Sequence, residues 1–387
     1  MAKPTLRTEF CDRVGIEYPV ILAGMGPVAG TGEPVATADL VAAVSNAGGL
    51  GVLGGVAYSP DVLREEIRKI KSLTDKPFGV DLLLSSNFLQ PRGSGPMQKM
   101  PGREVLPEES IEGMKRLADE LGIDYVEAPG EEEMMGSWVP EGKSWAGSQI
   151  EVLLEEEVPV FASGLGTPGP FIDALKAQNV TVLSLVGAVR AAAQVANDGA
   201  DYVVAQGTEA GGHTGKIGTL ALLPQVMDAV APTPVIAAGG IASGRALAGV
   251  LAAGAEAAWC GTAFLVSEEA NQPDLQKDRI LAAAAEDTIV TRLYSGKTMR
   301  NISNPLIEAW ERSGMHAMPM GAQAILIRDI TYSIRQAGRE DLLMNAAGQT
   351  SGMLEAKRAA KDILDEMVSD AAEIFASRLG NRVKASF

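Results

Sequence analysis

The sequence predicts an α/β fold: a (β/α)8 TIM barrel with a small, mainly helical appended domain and a long insertion after strand 3. Three observations predict it. Eight short apolar runs recur, most of them separated by amphipathic helical segments, which are the crossovers that consecutive parallel strands need. Glycine-rich turns follow several of these runs. The 387 residues exceed the roughly 250 of a plain barrel, which leaves length for additions.

The elements follow in order. Pro19–Met25 (PVILAGM) reads as a buried strand, and Val35–Ala47 as a helix stopped by Gly48 and Gly49. Leu50–Gly55 is the second strand. Asp61–Leu73 carries apolar residues at helical spacing, and Pro77–Leu84 is the third strand. The rhythm then breaks over Ser85–Gln149, too long for one βα connection. This region holds a Pro/Gly-rich loop (QPRGSGPMQKMPG), a helix over Glu108–Leu121 and an acidic, Met-rich stretch (EEEMMGSW). Long insertions at the carboxyl ends of barrel strands serve as lids or binding loops, or as surface elaborations without function. Strands resume at Val158–Ser163, Val180–Val186, Asp201–Gln206, Pro234–Ala238 and Ala257–Cys260, with helices over Pro168–Gln178 and Ala188–Asn197. Beyond the last strand, Ser267 to about Arg339 passes through SGKTMRNISNP and reads as a cap on the rim. Glu355–Leu379 is a final amphipathic helix. The expected division is a barrel over 1–266 that includes insertion 85–149, a small helical substrate or cap domain over 267–339, and a C-terminal segment, 340–387, packing back on the barrel.

Composition narrows the function. The chain is 46% hydrophobic with 43 glycines and a formal net charge of −16, which argues against a nucleic-acid surface. Cys11 and Cys260 are its only cysteines, so neither a disulfide framework nor a CxxC site is expected, and a reduced cytoplasm is the natural setting. The N-terminus MAKPTLRTEF lacks the apolar core of a signal peptide, and no membrane partner is expected.

The candidate chemistry lies at strand ends. Gly207–Gly215 (GTEAGGHTG) follows the sixth strand, Gly239-Gly240 the seventh, and Gly261-Thr262 the eighth. In a barrel these turns share one rim, and the loops after strands seven and eight commonly hold a phosphate. Glycine lets backbone N–H groups approach an anion closely. Paired glycines also serve tight turns that bind nothing, but two pairs one βα unit apart favour a shared anion site. Neither forms GxGxxG, so a mononucleotide fits better than a dinucleotide. His213 lies among four glycines in the first turn, accessible to a ligand and suited to taking a proton near neutral pH. His316 reads as incidental, Glu131–Glu133 and Glu155–Glu157 as solvated surface, and Arg300 and Asn304 as residues that could reach the rim or serve at the surface or a hinge. No GxSxG elbow, P-loop, HExxH or other metal-ligand cluster is present, so no metal is expected.

With these motifs in hand, the chain resembles the nitronate monooxygenase family, also called 2-nitropropane dioxygenases. The resemblance rests on PVILAGM, AQGTEAGGHTG, AAGGIASGRALAGVLAAGAEAAWCGTAFLVSEEA and AGQTSGM, and runs from about Phe10 to Met353. It implies FMN on a (β/α)8 barrel with a smaller helical domain. It further implies that Gly24 and Met25 lie against the flavin ring, with Asp81, Gln206, Gly211 and Gly212 as further contacts. By the same resemblance Gly239, Gly240, Gly261 and Thr262 hold the phosphate, and His213 is the catalytic base. Asp81 departs from the family, whose members commonly carry Asn there. Ionised, it would accept hydrogen bonds but could not donate, and would be less welcoming to an anionic nitronate. Trp259-Cys260 replaces a usual Gln-Met. These departures, with the long insertion, suggest a divergent subgroup.

The leading expectation is therefore an FMN-dependent monooxygenase oxidising nitronates or nitroalkanes with O2. The alternative is an enoyl-thioester (acyl-CoA or acyl-carrier) or NAD(P)H:quinone reductase on the same barrel, with a Met-rich insertion accommodating the larger substrate. A non-enzymatic sensor of a phosphate-bearing ligand is the third. The partners expected are a small-molecule substrate and O2 or NAD(P)H. A homo-oligomer is left open.

Overall fold

The eight apolar runs pair in register as parallel neighbours in the computed structural model, which describes residues 4–27, 33–85, 89, 103–129 and 142–384. The barrel strands are β1 (Val20–Leu22), β2 (Gly51–Gly54), β3 (Phe78–Leu83), β4 (Val160–Gly164), β5 (Thr181–Val186), β6 (Tyr202–Gln206), β8 (Val235–Ala238) and β9 (Ala258–Cys260). A two-residue strand, β7 (Gly212–His213), lies outside the barrel. The order is β1-β9-β8-β6-β5-β4-β3-β2. The ring closes between β1 and β2 at the Ile21–Leu50 bridge, where Leu22 N–H donates to Leu50 O at 2.9 Å and Leu50 N–H to Val20 O at 2.9 Å.

Alternation along the strands divides the apolar residues between two layers. Ile21, Val52, Val160, Leu183, Val204 and Ile236 fill the barrel interior. Val20, Leu22, Leu53, Val80, Leu82 and Val203 face outward under the helices. Helix Glu9–Val14 stoppers the amino-terminal end: Phe10 sets its ring edge-on to Tyr202 with centroids 5.0 Å apart, and Thr8 and Phe10 bond to Glu256 just before β9. The outer helices begin as their sequences dictate. Ser59 caps Pro60–Leu73, which buries Leu63, Ile67 and Ile70 on one stripe, and Ser243 caps Gly244–Ala252. Glycine sets the close approaches: a Cβ on Gly51 would lie 2.1 Å from the carbonyl oxygen of Val41.

One surface expectation is corrected. Glu156, read as part of a solvated acidic cluster, is 8% exposed and takes ion pairs from Arg64 and Arg68 at 3.2 and 2.8 Å. The residues that bury it lie some 90 positions upstream, outside any local window.

The segment after β9 is less helical than expected. It contains an antiparallel hairpin, β10 (Thr288–Thr291) and β11 (Met299–Ile302), and β11 pairs onward with β7 through Met299–His213 and Arg300–Gly212. A second apolar core forms here. Leu293, Trp310, Leu326 and Ile330 pack with Met114 and Leu117 from insertion helix Glu108–Glu120. Asp329, 1% exposed, accepts from Arg103 at 2.5 Å, Tyr125 at 3.1 Å and Ala128 N–H at 3.1 Å, fastening the insertion to helix Met320–Gln336. The loop over 90–102 and the EEEMMGSW stretch lie outside the described residues. Helix Ala360–Glu373 packs on Gly244–Ala252, where a Cβ on Gly244 would come within 2.5 Å of the Asp370 Cβ.

Two substitutions test this packing. Gly51→Ala will destabilise the chain by about 1–3 kcal/mol, because the new methyl meets backbone. Gly249→Ala meets open space in a helix and will be stabilising by about 0.5–1 kcal/mol. Denaturant midpoints check both; equal effects would mean the helix–strand approach at Gly51 is not tight.

Candidate active site

The carboxyl ends of the strands enclose a cavity of about 680 Å³, with loops from the appended segment as its far wall. Every residue expected to hold the flavin or act as base lines it: Gly24, Met25, Asp81, Gln206, Gly211, Gly212, His213, Gly239, Gly240, Gly261 and Thr262. The two glycine turns after β8 and β9 are neighbours, because those strands pair through Ala237–Ala258 and Ala238–Trp259. Gly239 and Gly240 take φ of 93° and 76°, the left-handed region that favours glycine. A Cβ on Gly239 would also lie 2.8 Å from Gly207 O. Among the described residues, the amides of Gly240, Gly261 and Thr262 find no protein acceptor, so their N–H groups are available to a ligand.

The loop after β6 is held from both sides. The Glu209 carboxylate accepts from Thr219 N–H at 3.0 Å at the start of helix Thr219–Val230, where the dipole favours negative charge. Arg300 donates from Nε to Thr208 O at 3.0 Å and from Nη1 to Thr288 Oγ1 at 2.9 Å, which ties the rim loop to the hairpin. Arg300 thus reaches the rim, as a buried brace. Asn304 does not: its Oδ1 caps helix Pro305–Ser313 and its Nδ2 donates to the Tyr294 hydroxyl at 3.1 Å. His316 is exposed and lines no part of the cavity.

His213 sits on β7, with its carbonyl accepting from Gln206 Nε2 at 2.5 Å and its Nε2 2.9 Å from Ser295 Oγ. Burial, reinforced by the nearby Lys297 cation, lowers its pKa to about 4, so the imidazole is neutral at physiological pH. Asp81 lies in register with Gly54 on β2 and Ala162 on β4, facing the cavity. Burial without a compensating charge pushes its carboxyl well above the usual range, and Oδ1 has no hydrogen-bond partner among the described residues. Gly24 makes room for it: a Cβ there would fall 2.3 Å from the Asp81 Cβ.

Sequence reasoning missed part of the wall. Tyr294, Ser295, Lys297 and Thr298 line the cavity from the turn before β11, and Met344, Ala346 and Thr350 from the segment that includes AGQTSGM. Gly348 N–H donates to Thr262 Oγ1 at 2.9 Å, and a Cβ on Gly211 would lie 2.6 Å from the carbonyl carbon of Ala347. The glycines in SGKT and AGQTSGM were the available signal, but neither follows a barrel strand. No group of His, Cys, Asp and Glu that could hold a metal occurs among the described residues, and none of their helices is long and apolar enough to cross a membrane.

Arg300→Ala tests the brace. It will cost about 1.5–3 kcal/mol of stability and speed hydrogen exchange of the 207–215 amides. Unchanged exchange there would show that backbone pairing alone holds the loop.

Comparison with known proteins agrees with this architecture. A family model described as nitronate monooxygenase matches residues 7–370. A Mycobacterium tuberculosis protein named as a monooxygenase is 36% identical over 377 residues, which cover 94% of this chain and 96% of the relative. A Rhodococcus jostii protein named as a hydroxy-methyl-oxo-octahydro-indene-carboxyl-CoA dehydrogenase is 32% identical over 404 residues, with coverage of 95% and 96%. The crystal structure of a nitroalkane oxidase from Streptomyces ansochromogenes is 28% identical and superposes with a TM-score of 0.76, covering 95% of this chain and 99% of that one. The chain belongs to the nitronate monooxygenase family of oxidoreductases.

Proposed function

We propose that the chain is an FMN-dependent nitronate monooxygenase with His213 as its base. The observation that carries the reading is a neutral imidazole facing the same cavity as two adjacent glycine turns whose Gly240, Gly261 and Thr262 amides lack an acceptor among the described residues. The cavity also suits the cofactor in its floor, where a buried carboxyl oxygen awaits a polar partner. Gly239, Gly240, Gly261 and Thr262 would hold the phosphate. Gly24, Met25, Asp81, Gln206, Gly211 and Gly212 would lie against the ring. When bound, FMN supplies the electron transfer, with O2 as acceptor.

The chain's own residues handle the proton. Unprotonated His213 accepts the α-hydrogen of a neutral nitroalkane as a proton, which leaves the nitronate anion, or it orients a nitronate supplied ready-made. A conjugate acid with a pKa of about 4 holds a proton poorly on its own. A nitronate formed beside it raises that affinity, since a nearby anion favours the imidazolium. Lys297, exposed at the mouth, attracts the same anion.

A second reading has its own support. The Rhodococcus jostii relative is named for a CoA thioester, and a cavity of about 680 Å³ leaves room for a larger acyl substrate. On that reading His213 exchanges a proton with a carbon next to a carbonyl. Oxygen uptake with propionate-3-nitronate and no pyridine nucleotide supports the first reading. Rapid anaerobic bleaching of the flavin by NADPH, with no nitronate turnover, supports the second.

His213→Asn separates base from bystander. It will lower kcat/KM for a neutral nitroalkane by about 100-fold or more, and lower it far less for a preformed nitronate, whose proton is already gone. Equal losses on the two substrates would leave His213 only an orienting role. The wild-type kcat/KM for the nitroalkane will fall in acid, as His213 becomes protonated. Because its pKa is lowered to about 4 rather than left at 6.5, no inflection from it will appear across neutral pH. An inflection near 6.5 that His213→Asn abolishes would show that the imidazole is not held down.

A further inference from the structure

The cavity floor carries a group that the proton chemistry of His213 leaves unused. Asp81 points from β3 into the space where the ring of a flavin would lie, and nothing around it among the described residues supports a negative charge. The flanking strands present Gly54 and Ala162, Gly24 lies beside it just after β1, and Gly164 lies across from Oδ1 at 3.8 Å from its would-be Cβ. Among the described residues, the other titratable groups on the cavity wall are His213, Tyr294 and Lys297. His213 is neutral, Tyr294 accepts from Asn304, and Lys297 lies at the exposed mouth. None of them hydrogen-bonds to Asp81, whose Oδ1 is shielded from solvent and unpartnered among the described residues.

An isolated carboxylate in such a place is costly, and neutralisation removes most of the cost. The acid form then needs an acceptor for its O–H, and Oδ1 meets no partner among the described residues. We propose that Asp81 meets the flavin as a carboxylic acid and donates its hydrogen to an acceptor heteroatom of the ring system. The proposal rests on the flavin reading above. It inverts the expectation drawn from residue type, in which an ionised Asp81 could only accept. Burial, which pushes this carboxyl well above its usual range, acts in the same direction. The donor is one that ionisation removes, where an amide at the same position would keep it.

The consequence is a cofactor affinity that depends on one proton. Binding to the acid form is fully present below the Asp81 transition and is lost as pH rises through it. FMN titrations of the purified, flavin-stripped full chain, followed by flavin fluorescence from about pH 6 to about pH 9, test this. Once Asp81 ionises, the wild-type Kd will rise about tenfold per pH unit, the slope for one proton. Asp81→Asn will bind FMN as tightly as the wild type does at low pH, with no such slope, because the amide donates without ionising. Asp81→Leu will bind about tenfold more weakly at every pH, also without the slope. A wild-type curve that superimposes on that of Asp81→Asn overturns the proposal, as does a slope that persists in Asp81→Asn. If no form of the chain binds FMN, the flavin reading itself falls; tight wild-type binding without an Asp81-dependent slope removes only the role given to Asp81.

Discussion

Two backbone pairings, Met299 with His213 and Arg300 with Gly212, hold the functional end of this molecule together. Without them the glycine-rich loop after β6 would be a long, entropically loose connection of the kind that glycine favours. With them it becomes the third strand of a small sheet, and the imidazole acquires a fixed position. The same pairing brings Ser295 within hydrogen-bond distance of His213 and sets Lys297 nearby. Arg300 reinforces the joint by holding Thr208 and Thr288 at once. The cavity is therefore a product of the contact between barrel and hairpin and belongs to neither alone.

Desolvation at that joint acts on its two central titratable groups in opposite directions. It lowers the affinity of His213 for a proton, which leaves the imidazole neutral at physiological pH, and it raises that of Asp81. The neutral base at the side wall can accept a proton, and on the proposal above the carboxyl on the floor donates a hydrogen bond. Each is also poised to respond to charge that develops on an occupant. Lys297 gives this chamber a positive entrance. The negative charge of the whole chain therefore does not decide what enters, because screening confines distant charges to about 8 Å at physiological salt.

How much of this was legible depended on how local the signal was. The barrel strands were legible because each is an apolar run bounded by glycine or proline, and the glycine turns were legible because a chain making that geometry has few other residues to use. Hairpin β10–β11 was not. Met299–Ile302 reads Met-Arg-Asn-Ile, with no alternation to notice, and one of its partners is the pair Gly212–His213, more than 80 residues earlier. Glu156 escaped for the same reason, since Arg64 and Arg68 come from a different helix. At Asp81 the sequence announced an acid but not its ionisation state. The rise in its proton affinity follows from its burial among small residues on β2, on β4 and just after β1, which no spacing rule connects.

The insertion is where this chain departs most from a plain barrel, and its described part contributes to the site indirectly. Helix Glu108–Glu120 packs in the second core together with Leu293, Tyr294 and Met299, and the last two also face the cavity. Asp329 fastens that arrangement by taking Arg103, Tyr125 and the Ala128 amide on one buried carboxylate. A buried carboxylate with several donors is costly to leave uncompensated, so removing any one donor loads the others. The same helix, Met320–Gln336, carries Gln323, which donates to Leu293 O at 2.5 Å next to the turn that carries Ser295 and Lys297. A continuous run of packed side chains and hydrogen bonds thus joins the described part of the insertion to the wall of the cavity beside His213.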